Sequence, residues 1–469
     1  MVFSSTIFLF CFLPVLLLVY FFSPNRAKNC ILLTASLFFY AWGELFYTTL
    51  MVFSILSNYI FGRLIDSSPL QRKKFLTLGV ACNLILLGIF KYANFIIENL
   101  NNVLALFSLA KIEIIPVHLP LGISFFTFQA ISYLIDVYRN QNPAQKSVLN
   151  LGLYIALFPQ LIAGPIVRYN SIARQLVRRT ITLQSFEAGI TRFIFGLAKK
   201  LLIANPLGEV ADKIFILPAD QLPALVAWTG IISFTLQIYF DFSGYSDMAI
   251  GLGRMFGFTF PENFRYPYIA RSLRDFWRRW HISLTTWLRD YLYIPMGGNR
   301  VSDLRVTFNL LMVFILCGLW HGASWNFLVW GMWHGLFLTL ERFSFGNALA
   351  KSQRIIAHVY TLLIVIVGWV FFRLPAFDEA IHYLFSMTGS NGFASSMYPV
   401  QLYVTNEALI AAIAGIIFST SVYTVCEKYI QRGTWYSGVV KFGLVSLLLS
   451  LSMLKISSGT YNPFLYFRF

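Results

Sequence analysis

An all-α polytopic membrane protein is the fold class this sequence predicts, and three observations predict it. Of the 469 residues 57% are hydrophobic and only 12% charged, whereas a soluble domain carries about a quarter charged residues. The apolar residues gather into runs close to the ~20 residues a helix needs to cross a bilayer. The basic residues lie in the short segments between those runs. The net charge of +16 could suit nucleic acid, but basic inter-span loops are what the positive-inside rule demands. A bilayer is therefore the expected partner, and nucleic acid is not.

The apolar runs fall at about 4–22, 30–44, 47–62, 75–92, 119–138, 184–203, 222–243, 306–321, 324–342, 356–374, 404–426 and 440–458. Several are short or contain Gly, so about 11 to 13 spans are expected. The first run, MVFSSTIFLFCFLPVLLLVYFF, lacks a basic n-region and a small-residue cleavage site. It is expected to be a retained anchor, not a signal peptide. Arg26 and Lys28 follow the first run, and Arg63, Arg72, Lys73 and Lys74 follow the third. Basic loops thus alternate, which places the N-terminus outside. Residues 1–469 are expected to form a single integral-membrane domain, with no repeats and no soluble module.

Two segments interrupt this regularity. LGLYIALFPQLIAGPIV (151–167) is apolar, yet basic residues flank it on both sides. Pro159, Gly164 and Pro165 would break a helix there. A re-entrant segment lining a cavity fits, since broken backbone at membrane depth must be surrounded by protein or water; two ordinary spans are the alternative. ARSLRDFWRRWHISLTTWLRDYLYIP (270–295) reads as a basic amphipathic helix on the cytoplasmic side. Arg271, Arg274, Asp275, Arg278 and Arg279 share one face, and Leu273, Trp277, Trp280 and Leu284 the other. Trp on the apolar face is the pattern of an interfacial helix.

His281 sits at the edge of that basic face. His321 and His334 belong to two Trp-His-Gly triplets in GLWHGASWNFLVWGMWHG (318–335). Ionisable groups at membrane depth are costly and default to functional candidates. Imidazole is also the base whose ordinary pKa lies nearest neutrality. His321 ends a run just before the small-residue break GAS, where a cavity forms easily. His334 is placed mid-helix, where packing is the plainer role. Zinc-type Cys/His spacing and an H-E-x-x-H motif are both missing, so no metal is expected. The five cysteines are scattered and give neither a disulfide framework nor a ligand set. Asp241 and Asp247, in YFDFSGYSDMAIG (239–251), could orient a histidine or hold a cation; pairing with nearby arginines is the alternative. No G-x-S-x-G, Walker or EF-hand pattern occurs.

Five long blocks carry a family resemblance: PLGISFFTFQAISYLIDVYR, FPQLIAGPIVRY, YFDFSGYSDMAIGLGRMFGF, NFRYPYIARSLRDFWRRWHISLTTWLRDYLYIPMGGNR and LWHGASWNFLVWGMWHG. Together they resemble the membrane-bound O-acyltransferase (MBOAT) family. The likeness is to its bacterial alginate and peptidoglycan O-acetyltransferase branch in particular, and it runs along essentially the whole chain. It implies a ring of about 11 to 13 tilted transmembrane helices around a central thin partition, with re-entrant segments and a funnel from each side. It implies a cytoplasmic thioester donor, acetyl-CoA, with no bound cofactor, and an outer acceptor on a cell-envelope or exported polysaccharide. The family's essential histidine maps onto His321, and its second motif histidine onto His281.

With that resemblance, Arg278 and Arg279 become candidates for the phosphates of the donor, which Arg binds bidentately. Asp241, Asp247 and His334 become candidate supports. The expected location is the bacterial inner membrane, beside a periplasmic acetyltransferase of the SGNH or Ser-His-Asp type. A pure acyl-group transporter feeding that partner is one rival reading; an ion-coupled transporter using Asp241 and Asp247 is another. The tail YNPFLYFRF (461–469) is too short to span and resembles the C-terminal motif of small partners in D-alanyl transfer. It makes Tyr466 a candidate acyl relay, against an interfacial aromatic belt.

Overall fold

The computed structural model describes residues 1–422, 435–459 and 461–463. The protein is a predominantly helical, polytopic membrane protein. Among the described residues, six helical stretches are long and apolar enough to cross a bilayer: Thr48–Ser67, Pro69–Leu106, Ala224–Met255, Asp303–His321, Arg354–Arg373 and Gly438–Ser457. Shorter apolar helices cover Phe8–Phe22, Lys28–Ala41, Ile123–Tyr138 and Asn406–Phe418. The run expected at 75–92 is the middle of the 38-residue stretch Pro69–Leu106. The chain divides into two compact units, Met1–Gly189 with Ala249–Pro261, and Ile190–Met248 with Glu262–Phe469.

The first unit holds α1 (Leu13–Phe22), α2 (Lys28–Ala41), α3 (Thr48–Ser67), α4 (Arg72–Leu87), α5 (Ala93–Leu106), α6 (Ile123–Tyr138), α7 (Val148–Ala156), α8 (Phe158–Leu161) and α9 (Tyr169–Val177). The break foreseen at 151–167 is present. α7 ends at Ala156, Leu157 turns out of the helix at ψ 112°, and after the single turn of α8 the chain is irregular. A Cβ on Gly164 would lie 2.5 Å from Gln160 Cα, so only glycine fits that turn. All of 151–167 is buried, and polar groups there are met by side chains. The Phe158 N–H donates to Ser36 Oγ at 3.1 Å, and the Tyr154 hydroxyl to the Val167 carbonyl at 3.0 Å.

The second unit is built from α10 (Leu183–Ala198, which starts in the first unit), α11 (Asn205–Phe215), α12 (Ala224–Met255, which from Ala249 belongs to the first unit), α13 (Leu273–Arg279), α14 (Ile282–Leu288), α15 (Asp303–His321), α16 (Trp325–Leu340), α17 (Ser344–Lys351), α18 (Arg354–Arg373), α19 (Phe377–Thr388), α20 (Asn406–Phe418) and α21 (Trp435–Ser457). Its helices meet at glycines, as membrane helices do for lack of a hydrophobic drive between them. α10 and α12 cross where a Cβ on Gly196 would lie 2.5 Å from the Gly244 carbonyl. α15 and α16 form a tight hairpin. A Cβ on Gly318 would lie 2.1 Å from the Phe327 carbonyl, and one on Gly331 2.3 Å from that of Phe314.

The single amphipathic helix expected over 270–295 is instead two helices. α13 ends at Arg279, and His281 takes a left-handed conformation, φ 43°, ψ 52°, which no helix accommodates. The sidedness of the first part is right: Arg271, Arg274 and Arg278 are exposed, while Leu273, Trp277 and Trp280 are buried. Yet the apolar face meets protein. Trp277 lies edge-on to Phe314 at 5.0 Å, and Trp280 packs on Trp369 at 5.0 Å.

Replacing Gly331 by Ala forces α15 and α16 apart. We expect a loss of about 1–3 kcal/mol, the usual cost of overpacking, read as a lowered melting temperature in detergent. Gly443→Ala, at a site where no described residue comes within 4 Å of the new Cβ, should leave it unchanged. Equal stability of both variants would contradict the hairpin contact.

Candidate active site

His321 is the last residue of α15, and the turn that follows must be small. A Cβ on Gly322 would lie 2.1 Å from the Phe327 ring. Ser324 then caps α16 by accepting from the Phe327 N–H. The hairpin reverses the chain, so His321 and His334 sit on two helices, not on one. Both contact Trp330, with ring centroids 5.1 Å from each. Phe372, near the end of α18, is the other wall of the His321 site at 5.2 Å.

His281 comes to the same place from a different segment. Its ring centroid is 6.5 Å from that of His321 and 6.0 Å from Trp320. Phe242 of α12 lies against it at 4.7 Å, which explains the aromatic character of the YFDFSGYSD block. The sequence placed His281 at the edge of an exposed basic face; it is fully buried, because the left-handed turn rotates it off that face. Among the described residues, neither ring nitrogen of His281 has a hydrogen-bond partner. Burial holds its pKa down at about 3, so at neutral pH it is an imidazole with one N–H and one free lone pair. His334 is equally buried. It is boxed by Trp277 at 5.2 Å and Trp330, and a Cβ on Gly368 would fall 2.8 Å from its Nε2. The structure brings His281 and His321 together and leaves His334 one tryptophan away.

The two aspartates are committed to cations. Asp241 pairs with Lys200 at 2.7 Å, both nearly solvent-free. Asp247 pairs with Arg192 at 2.6 Å and Lys199 at 2.6 Å. The pairing alternative is therefore the geometry found, with two of the three cations being lysines. Arg278 is exposed. Arg279 already shares its Nε with Asp275 at 2.8 Å and donates to the Arg265 carbonyl at 3.3 Å. Tyr466 lies outside the described residues. The segment just before it is anchored: Asn205 donates to the Tyr461 carbonyl at 3.0 Å, Lys200 to that of Pro463, and the Tyr461 hydroxyl to Asp212. Asp212 also pairs with Arg373 at 2.6 Å, next in chain to Phe372. Among the described residues no group of three or more His, Cys, Asp or Glu could hold a metal ion.

Sequence reasoning missed Lys200, Phe372 and Arg373. Lys200 was hidden beside Arg192 and Lys199 in a run read as apolar, and a lysine inside a span is itself the signal. Phe372 and Arg373 carry no local pattern; only the packing of α18 identifies them.

Lys200→Met would leave Asp241 buried without its cation. Breaking one side of such a pair costs about 3–5 kcal/mol. We expect a correspondingly lower melting temperature in detergent, largely recovered in Lys200→Met/Asp241→Leu. A K200M protein as stable as the parent would contradict a structural role for the pair.

Comparison with known proteins identifies the family. The family model for MBOAT, the membrane-bound O-acyltransferase family, matches residues 139–374, which include Asp241, His281, His321 and His334. A probable alginate O-acetylase of Azotobacter vinelandii is 41% identical over a 504-position alignment covering all of both chains. A peptidoglycan O-acetyltransferase of Helicobacter pylori is 35% identical, over all of this chain and 98% of its own. A teichoic acid D-alanyltransferase of Bacillus subtilis is 27% identical over 48% of this chain and 59% of its own. A match of that extent, with both motif histidines inside it, leaves one assignment: the chain belongs to the membrane-bound O-acyltransferase family, in its alginate O-acetylase branch.

Proposed function

We propose that the protein moves acetyl groups from a cytoplasmic thioester, acetyl-CoA, across the membrane for O-acetylation of an exported or cell-envelope polysaccharide of the alginate kind. The observation that carries this is the buried meeting of His281 and His321 in a chain alike, end to end, to alginate O-acetylases. His321 is the general base. It takes the proton of an acceptor hydroxyl as the hydroxyl oxygen attacks the thioester carbonyl. The C–S bond breaks, the C–O bond forms, and the proton passes to the departing thiolate. No covalent serine is needed. His281, neutral and uncommitted, donates to the acyl carbonyl or holds the donor in line. Arg278 meets the phosphates of the donor at the cytoplasmic mouth, and Arg279 contributes once released from Asp275. The whole chain works as one acyltransferase domain in the bacterial inner membrane, with the family's ring of tilted helices, thin partition and two funnels.

A second reading adds a relay. In it the acetyl group passes first to the phenol of Tyr466, and a periplasmic acetyltransferase of the SGNH type collects it for the polymer. The anchoring of 461–463 beside Asp212 and Arg373 favours this, because Arg373 adjoins the Phe372 that packs on His321. The ion-coupled transporter is disfavoured by the cations already paired with Asp241 and Asp247.

His321→Ala should lower polymer O-acetylation by ~10²–10⁴-fold, the usual span for a lost general base, at unchanged abundance in the membrane. Normal acetylation by this variant would refute the base assignment. Tyr466→Phe keeps the ring and deletes the hydroxyl. The relay requires it to abolish acetyl delivery while acetyl-CoA binding persists; wild-type acetylation by Y466F would remove the relay and leave His321 untouched.

A further inference from the structure

The conformation of His281 needs an explanation, because it occupies the N-cap position of α14 with a left-handed backbone and supplies no capping side chain. A residue there ordinarily turns its own side chain onto the N–H groups that open the helix. Those groups are instead met by a residue eighteen positions earlier. The carbonyl of Asn263 accepts from the Ile282 N–H at 2.9 Å. Its side-chain Oδ1 accepts from the Ser283 N–H at 3.2 Å and from the Ser283 hydroxyl at 2.9 Å. The same two segments are joined once more on the other side of His281, where the Arg265 N–H donates to the Arg279 carbonyl at 2.9 Å. The turn Trp280–His281 is thus clamped before and after the histidine. Asn263 is almost solvent-free, so these bonds are not in competition with water.

From this we infer that Asn263 is the positioning residue of His281: it caps α14 from outside and so frees the His281 imidazole for the acyl group. A left-handed non-glycine residue is strained and persists only where its surroundings over-determine it. Three bonds to one asparagine supply that determination. Without the Oδ1 acceptor, the Ser283 N–H would be buried without its partner. The cheapest remedy is for the His281 side chain to turn onto the opening of its own helix, which is where a capping residue belongs and where a catalytic one is lost. The inference rests on the role given to His281 above.

The test is acetyl transfer by membranes carrying the full chain, with CoA thiol release followed at varied acetyl-CoA. Asn263→Ala should lower the maximal rate at least ~10-fold, toward that of His281→Ala, with the KM for acetyl-CoA changed less than ~2-fold. Asn263→Asp retains the acceptor and should stay within ~3-fold of the parent rate. In the His281→Ala background, Asn263→Ala should bring no further loss, whereas a merely structural residue would lower the rate again. Should Asn263→Ala fail to accumulate, Asn263→Gln, which displaces the acceptor by one methylene, carries the same expectation. Parent-like rates in N263A or N263Q, or an equal loss in N263D, would overturn the positioning role. A parent-like rate in H281A would instead remove the role of His281 itself.

Discussion

The site depends on how closely α15 and α16 approach. Gly318 and Gly331 let the two backbones touch, with space for no more than hydrogen at either position. That contact turns a stretch with two Trp-His-Gly triplets into a hairpin with His321 at its tip and Trp330 beneath it. A wider hairpin would withdraw Trp330 from both His321 and His334, and the aromatic walls would lose their fixed edges. In lipid, such packing and internal hydrogen bonds are what hold helices together, so glycine at this crossing is a positive requirement and not a gap.

Around the hairpin, polar groups that lipid would penalise are settled against one another. Lys200 neutralises Asp241, Arg192 and Lys199 neutralise Asp247, and Arg373 meets Asp212. Each pair joins different elements of the second unit, so the charges fix how its helices seat. His281 is left apart from these pairs, and both imidazoles of the proposed mechanism lie among aromatic rings. For His281 that surrounding keeps the imidazole neutral, which suits a group meant to donate to or accept from a substrate and ill suits one meant to bind a carboxylate.

Much of this was legible in the sequence, and what was not has physical causes. The helical membrane class followed from composition, and the break near Pro159 and Gly164 followed from residues that cannot continue a helix. His321 before GAS was visible because small residues mark a turn. The fate of His281 was not, since a helical wheel assumes one continuous helix, and the left-handed turn that buries it is imposed by Asn263 from a distant segment. For the aspartates, pairing with arginine was one of the readings left open, and Arg192 does meet Asp247; Lys199 and Lys200 were not foreseen, because they lay within a run read only for its hydrophobicity.

The proposed reaction requires His281 and His321 to act as one acyl-transfer site. The most direct measurement is the acetyl-transfer rate of His281→Ala, His321→Ala and the double variant, at matched amounts of protein in the membrane. Residues that act as a unit are strongly non-additive. A single shared site makes the double variant no slower than the slower single one. Losses that multiply, so that the double variant falls by the product of the two single effects, would contradict it.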